Sequence, residues 1–193
     1  GICEPIFVGD KKNIFEIAKT EGLDLNEFEI IEEIDRAKAC EIAVKLVSEN
    51  KASFLMKGFV DTSVLLKAVL DKEWGLRTGR LLSHVALFEI DKYHKPFIVS
   101  DGGMNIKPDL NTKIDILNNA VDTAVKIGID NPKVAILAAI EKVNIDMPET
   151  IDAGIISKMN KRGQIKNCIV DGPLAFDLAI SRAVSYTHLR AHE

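Results

Sequence analysis

Between Leu55 and His84 the chain reads LMKGFVDTSVLLKAVLDKEWGLRTGRLLSH, a stretch that gathers cations, hydroxyls and a helix start. Such groups suit an anion. Asp61-Thr62-Ser63 has the composition of an N-cap cluster, and Leu65, Leu66, Val69 and Leu70 follow it at helical spacing. Unpaired N–H groups and the positive dipole end of a helix start favour phosphate or carboxylate, and the Thr62 and Ser63 hydroxyls add donors. Lys57 and Gly58 lie just upstream, and Lys67 lies within the helix. Further on, Gly75-Leu76-Arg77-Thr78-Gly79-Arg80 places guanidinium groups in a glycine-bearing loop, where Arg grips phosphate oxygens through two parallel hydrogen bonds. It is not a Walker A loop, which requires GxxxxGK[ST]. For any one of these residues a solvated surface charge is the simpler account; their density raises the reading of an anion site.

The elements that would position these groups alternate. Pro5 to Val8 reads as a buried strand, Asp10 as a cap, Lys11 to Glu21 as an amphipathic helix stopped by Gly22, and Phe28 to Ile31 as a second strand. Asp35 then caps a helix through Glu49, with Ala39, Ile42, Ala43, Leu46 and Val47 on its buried side, leading to a short buried strand over Ser53 to Met56. Alternating strands and helices predict an α/β fold with a mostly parallel sheet covered on both faces. Lys57-Gly58 would then lie beyond the carboxyl end of a strand, where ligands bind in such sheets.

Val85 to Ile90 and Pro96 to Val99 read as a hairpin-like strand pair around a polar turn. Ser100-Asp101-Gly102-Gly103-Met104-Asn105 follows as a loop whose glycines permit close approach to a ligand or form a tight turn without one. Pro108-Asp109 opens a helix over Leu110 to Ile127, with Ile114, Leu117, Val121 and Val125 at helical spacing and Gly128 as its stop. Lys133 to Ala138 reads as a strand, Pro148 to Asn160 as a helix ending near Gly163, and Lys166 to Val170 as a strand delivering Asp171-Gly172-Pro173. Asp171 is a substrate contact or, more simply, the cap of a helix beginning at Leu174.

Composition bounds the class. At 193 residues, 47% hydrophobic and 28% charged, the chain can bury a core as one domain or parts of two. No apolar run approaches the roughly 20 residues that span a bilayer, and no secretory signal opens the sequence. A net charge of -4, without a basic stripe interleaved with aromatics, argues against nucleic acid. Cys3, Cys40 and Cys168 are odd in number and scattered, which fits reduced thiols in a cytoplasm, and no CxxC pair or Cys/His cluster suggests a metal.

Lys57-Gly58, the Asp61-Thr62-Ser63 helix opening, Gly75-Leu76-Arg77-Thr78-Gly79, Ser83-His84-Val85 and Asp171-Gly172-Pro173-Leu174-Ala175, in that order, resemble the phosphate butyryltransferase and phosphotransacetylase family, from about Gly1 to Ser181. The resemblance implies a two-lobed, three-layer α/β/α fold like that of isocitrate/isopropylmalate dehydrogenase, with residues 1–80 in a first lobe and 81–184 in an incomplete second one. It implies a homodimer, no cofactor beyond CoA as substrate, and reversible conversion of acyl-CoA and phosphate to acyl phosphate and CoA. Substrate would be held by Lys57, Gly58, Asp61, Thr62, Ser63, Lys67, Arg77, Thr78, Arg80, Ser83, His84, Asp101, Asn105 and Asp171, across a cleft that the Ser100–Asn105 loop faces. Lys67 stands where family members often have Arg, and Gly102 where some acetyl-transferring relatives carry a cysteine.

The family's Ser-Arg pair and following Asp, its strongest catalytic signature, are expected in a segment beyond this chain; Ser181-Arg182 follows Asp171 too closely to be that pair. The chain, which opens without an initiator Met, is expected to be truncated at both ends. Residues 185–193 read as adaptor-derived sequence, which accounts for the metal-like spacing of His188 and His192. Two rival readings are a non-catalytic domain that binds CoA or acyl phosphate and regulates a partner, and a nicotinamide-dependent dehydrogenase, against which the absence of GxGxxG counts.

Overall fold

The computed structural model describes residues 3–91 and 93–180. Ser181-Arg182 and the 185–193 tail, with His188 and His192, lie outside them. The chain divides into two compact units, Gly1–Gly79 and Arg80–Glu193.

In the first unit, β1 (Ile6–Gly9), α1 (Lys11–Thr20) and β2 (Glu29–Glu32) form the expected βαβ turn of chain, and β1 pairs with β2 in parallel from Ile6↔Glu29 to Gly9↔Glu32. Helix starts are fixed locally. The Asp10 carboxylate accepts the Asn13 N–H at 3.1 Å to open α1. Asp35 accepts the N–H groups of Ala37 and Lys38 at 2.8 and 3.0 Å to open α2 (Arg36–Ser48), and those bonds, Lys38 first, hold its pKa below the ordinary value. Each such cap satisfies first-turn N–H groups that the helix itself cannot.

The core of this unit joins Cys40 and Val44 of α2 to Ala68 of α3 (Thr62–Val69), with Leu65, Trp74 and Leu76 packed around them. The α2 stripe is thus centred one position away from the sequence-derived face: Cys40 and Val44 are buried, while Ala39, Ile42, Ala43, Leu46 and Val47 are only partly covered. Another expectation fails outright. Ser53 to Met56 forms no strand, and Phe54 and Met56 are 57% and 79% exposed. A short apolar run becomes a strand only where a neighbour offers a ladder, and among the described residues none pairs with it.

The second unit opens with β3 (Ala86–Phe88) and β4 (Phe97–Val99), paired antiparallel as the hairpin reading predicts and closed by stacking of Phe88 on Phe97 at 5.6 Å. The helix α4 (Leu110–Lys126) begins where Asp109 accepts the Thr112 N–H at 2.8 Å. Next come β5 (Lys133–Leu137), α5 (Pro148–Lys161), β6 (Ile169–Leu174) and α6 (Phe176–Ile180). β5 and β6 run parallel, with a register shift between Ala135 and Leu137. Leu117 and Val121 of α4, Ile156 of α5, and Ile165, Cys168 and Val170 form the core.

Asn160 fastens that core's edge. Its amide donates to the carbonyls of Ile165 and Cys168 at 3.0 and 2.9 Å and accepts the Val170 N–H at 3.0 Å, so the approach to β6 is set by one side chain of α5. The strand lies later than the sequence suggested, taking in Asp171-Gly172-Pro173 rather than ending before them. The architecture is α/β with two parallel pairs and one antiparallel pair; among the described residues these are three separate two-stranded sheets, not one continuous sheet covered on both faces.

Candidate functional site

In the first unit the residues around Lys57 form a tight turn. Lys57 Nζ donates to the carbonyls of Val60 at 2.9 Å and Gly58 at 3.3 Å, and the Val60 N–H donates to the Gly58 carbonyl at 3.0 Å. The Lys57 cation is therefore folded onto its own loop. With no strand at Ser53–Met56, Lys57-Gly58 do not lie at a strand end as expected. Asp61 occupies the N-cap position of α3, yet its carboxylate makes no cap hydrogen bond, so the first-turn N–H groups are not consumed by it. Thr62, Ser63 and Lys67 are exposed on this helix.

The glycine-bearing loop beyond α3 is more firmly built. Asp71 Oδ1 accepts the N–H groups of Glu73 and Trp74 at 2.8 and 3.2 Å, and the Leu76 N–H donates to the Val69 carbonyl at 2.8 Å. A side chain at Gly75 would meet the Asp71 and Val69 carbonyl oxygens at 2.5 and 2.6 Å, so the turn closes only with glycine there. Trp74 packs back on α2, where Lys45 Nζ lies 5.1 Å from its ring centroid while also pairing with Glu41 at 2.6 Å. A rigid stem therefore carries Arg77 and Thr78, both exposed, and among the described residues neither Arg77 nor Lys67 is in an ion pair. Asp71, Trp74 and Lys45 were missed in the sequence; Asp71 preceding a Gly-bearing turn was the available signal.

In the second unit a hydrogen-bonded group assembles from separate stretches. Arg80, read as a phosphate ligand, directs one guanidinium nitrogen to Asp122 of α4 at 2.7 Å. Asn119, also on α4 and also missed, donates to the Leu81 carbonyl and to Ser83 Oγ, both at 2.9 Å. The next residue, His84, is held at both backbone groups: its N–H donates to Asp101 Oδ1 at 3.1 Å and its carbonyl accepts from Ser100 Oγ at 2.7 Å. Asp101 also accepts the backbone N–H groups of Asn105 at 3.0 Å and Met104 at 3.4 Å, together with the Asn105 side-chain amide. Burial works to raise the Asp101 pKa, but these bonds, with the Asn105 side chain foremost, outweigh it and hold the carboxyl below its ordinary value.

Ser83, His84, Asp101 and Asn105 are thus brought together. Asp171 is not joined to them by any hydrogen bond among the described residues; its Oδ1 accepts the Gly172 N–H at 2.9 Å from within β6. It caps no helix, since α6 begins only at Phe176. Burial pushes the Cys40 and Cys168 thiols up, which makes them poor nucleophiles. Among the described residues no group of three His, Cys, Asp or Glu side chains could hold a metal ion, and no helix is long and apolar enough to cross a membrane.

Comparison with known proteins places the chain in one family. The profile of the family described as phosphate acetyl/butaryl transferase matches residues 9–192, and the chain belongs to that family. It is 50% identical over 186 residues to phosphate butyryltransferase of Clostridium acetobutylicum, covering 96% of this chain and 62% of that relative. It is 43% identical over 180 residues to phosphate acetyltransferase of Thermotoga maritima, covering 93% of this chain and 61% of that protein. The crystal structure of a branched-chain phosphotransacylase from Enterococcus faecalis superimposes with a TM-score of 0.73 at 32% identity, over 94% of this chain and 70% of that one. The chain therefore spans under two thirds of the length of these two curated relatives.

Proposed function

We propose that the protein transfers a short acyl group, butyryl or one of similar length, reversibly between CoA and phosphate. The observation that carries this reading is membership of the family, with 50% identity to a phosphate butyryltransferase, joined to the exposed Arg77-Thr78 segment on its fixed stem. In one direction a phosphate oxygen attacks the thioester carbonyl, the C–S bond breaks, and CoA leaves as thiolate. In the other the CoA thiol, with a pKa near 8.5 if it behaves as a free thiol, gives its proton to a base; its sulfur attacks the acyl phosphate and the C–O bond breaks. Negative charge gathers on the carbonyl oxygen and on the phosphate in both directions, and fixed N–H donors and cations stabilise it.

Arg77, Thr78, Lys67 and the start of α3, with Thr62 and Ser63, are the groups suited to phosphate or to the CoA diphosphate. Ser83, His84, Asp101 and Asn105 form the second candidate group. The proton-accepting base is assigned to no residue of this chain. For the complete protein the same reading carries a two-lobed α/β architecture like that of isocitrate/isopropylmalate dehydrogenase, a homodimer and a cytoplasmic location, with family membership as the support.

The test is release of CoA thiol from butyryl-CoA and acetyl-CoA by the purified complete protein, with and without phosphate. Thiol release that depends on phosphate is expected. Release independent of phosphate would overturn the reading, and so would nicotinamide reduction in place of acyl transfer.

A further inference from the structure

We propose that the imidazole of His84 is a phosphoryl-binding group, presented by Ser100 and Asp101 and kept in place by the absence of a side chain at Gly102. This rests on the acyl-transfer reading and adds to it a contact for one particular substrate group. Three observations carry it. Both backbone groups of His84 are taken by side chains of consecutive residues, the N–H by Asp101 at 3.1 Å and the carbonyl by Ser100 Oγ at 2.7 Å, so the residue is fixed from behind. Its side chain is the part left over: His84 is exposed, and among the described residues no hydrogen bond or ion pair reaches either ring nitrogen.

The third observation is the ring's position. It lies against Gly102, where an added Cβ would come within 3.0 Å of Nδ1 and 3.5 Å of Cε1. A methyl group there requires the imidazole to give by a few tenths of an ångström, with the backbone on both sides already held. Histidine that served only to pack would bury its ring and bond a nitrogen internally; here the ordering is spent on the backbone, the residue is exposed, and neither ring nitrogen is bonded internally among the described residues. An imidazole N–H is a donor suited to a phosphoryl oxygen, and a charge-assisted bond of that kind is among the stronger single contacts a site can make.

The test compares wild type, His84→Ala, His84→Gln and Gly102→Ala in the purified protein. Inorganic phosphate and butyryl phosphate binding is measured by calorimetry in every variant and, in wild type, also followed by the imidazole NMR signals that His84→Ala removes; CoA binding is followed by tryptophan fluorescence. Phosphate should shift the His84 signals. His84→Ala should weaken phosphate about tenfold or more while leaving CoA within about twofold, and His84→Gln, which keeps a donor, should recover part of the loss. Gly102→Ala should reproduce the phosphate-specific loss by displacing the ring, and a native unfolding midpoint for His84→Ala keeps the test valid if Gly102→Ala does not fold. CoA binding with phosphate affinity unchanged in His84→Ala would overturn the inference and leave the transferase reading standing. Failure of both ligands to bind wild type would overturn both.

Discussion

The Asp101 carboxylate accepts the backbone N–H of His84 at 3.1 Å across seventeen residues of sequence, tying the loop after β4 to the segment that enters β3. The same carboxylate takes N–H groups from Met104 and Asn105, so one side chain organises two stretches of backbone. Its removal has a defined signature in pH.

Asp101→Asn replaces an acceptor-only group by one whose NH2 must face donors, and a loss of about 2 to 3 kcal/mol at neutral pH is expected. Because the Asp101 pKa lies below its ordinary value of 3.8, the stabilisation is present above that value and is lost as pH falls through the still lower folded one. Urea unfolding of both proteins at pH 7 and below pH 3.8 checks this: the gap should narrow in acid. A gap of equal size at both would show that the charge is not what matters.

Gly75→Ala should be among the most damaging single-methyl changes in the first unit. The added carbon would lie 2.5 to 2.7 Å from three backbone atoms of Val69 and Asp71, none of which is the end of a flexible side chain. About 1 to 3 kcal/mol of destabilisation is expected, read as a fall in the urea midpoint, whereas Gly58→Ala, with open space around it, should change the midpoint little.

Asn160→Ala leaves two carbonyls and one N–H at the entry to β6 without their partner. A loss of about 2 to 4 kcal/mol is expected from groups stranded away from water. Hydrogen exchange should show it first at Val170. Protection of that amide equal to wild type would remove Asn160 from the account of β6.

Helices were legible in the sequence because their signals are local. Asp10, Asp35 and Asp109 announce three helix starts, and the structure places their carboxylates on the first-turn N–H groups as that chemistry requires. Strands were less so. Ser53–Met56 has a strand's composition but no partner ladder, and β6 extends through Gly172-Pro173 because β5 pairs with it as far as Leu174. Neither fact resides in the residues themselves. Among candidate site residues, His84, Asp101 and Asn105 were chosen from loops and resemblance and are joined through the Asp101 carboxylate, while Asn119, which holds Ser83, sits in the middle of α4 with no local feature to mark it.

Lys45→Met should loosen Trp74 without unfolding the unit. The ammonium lies 5.1 Å from the indole centroid, an interaction of about 0.5 to 1 kcal/mol at an accessible site. Trp74 is the one tryptophan of the sequence, so its emission reports the change directly. A shifted emission maximum with a near-native midpoint is expected; an unaltered spectrum would mean that the contact does not persist in solution.

The most direct test of the central claim, that the rigid-stemmed basic loop holds the phosphate or diphosphate groups of the substrates, is a titration of Trp74 fluorescence with CoA in wild type and Arg77→Ala. Saturable quenching in wild type, weakened by about tenfold to a hundredfold in Arg77→Ala, is the outcome expected for loss of a charge-assisted contact of roughly 1.5 to 3 kcal/mol. Equal affinity in the two proteins would remove Arg77 from the site and contradict the account.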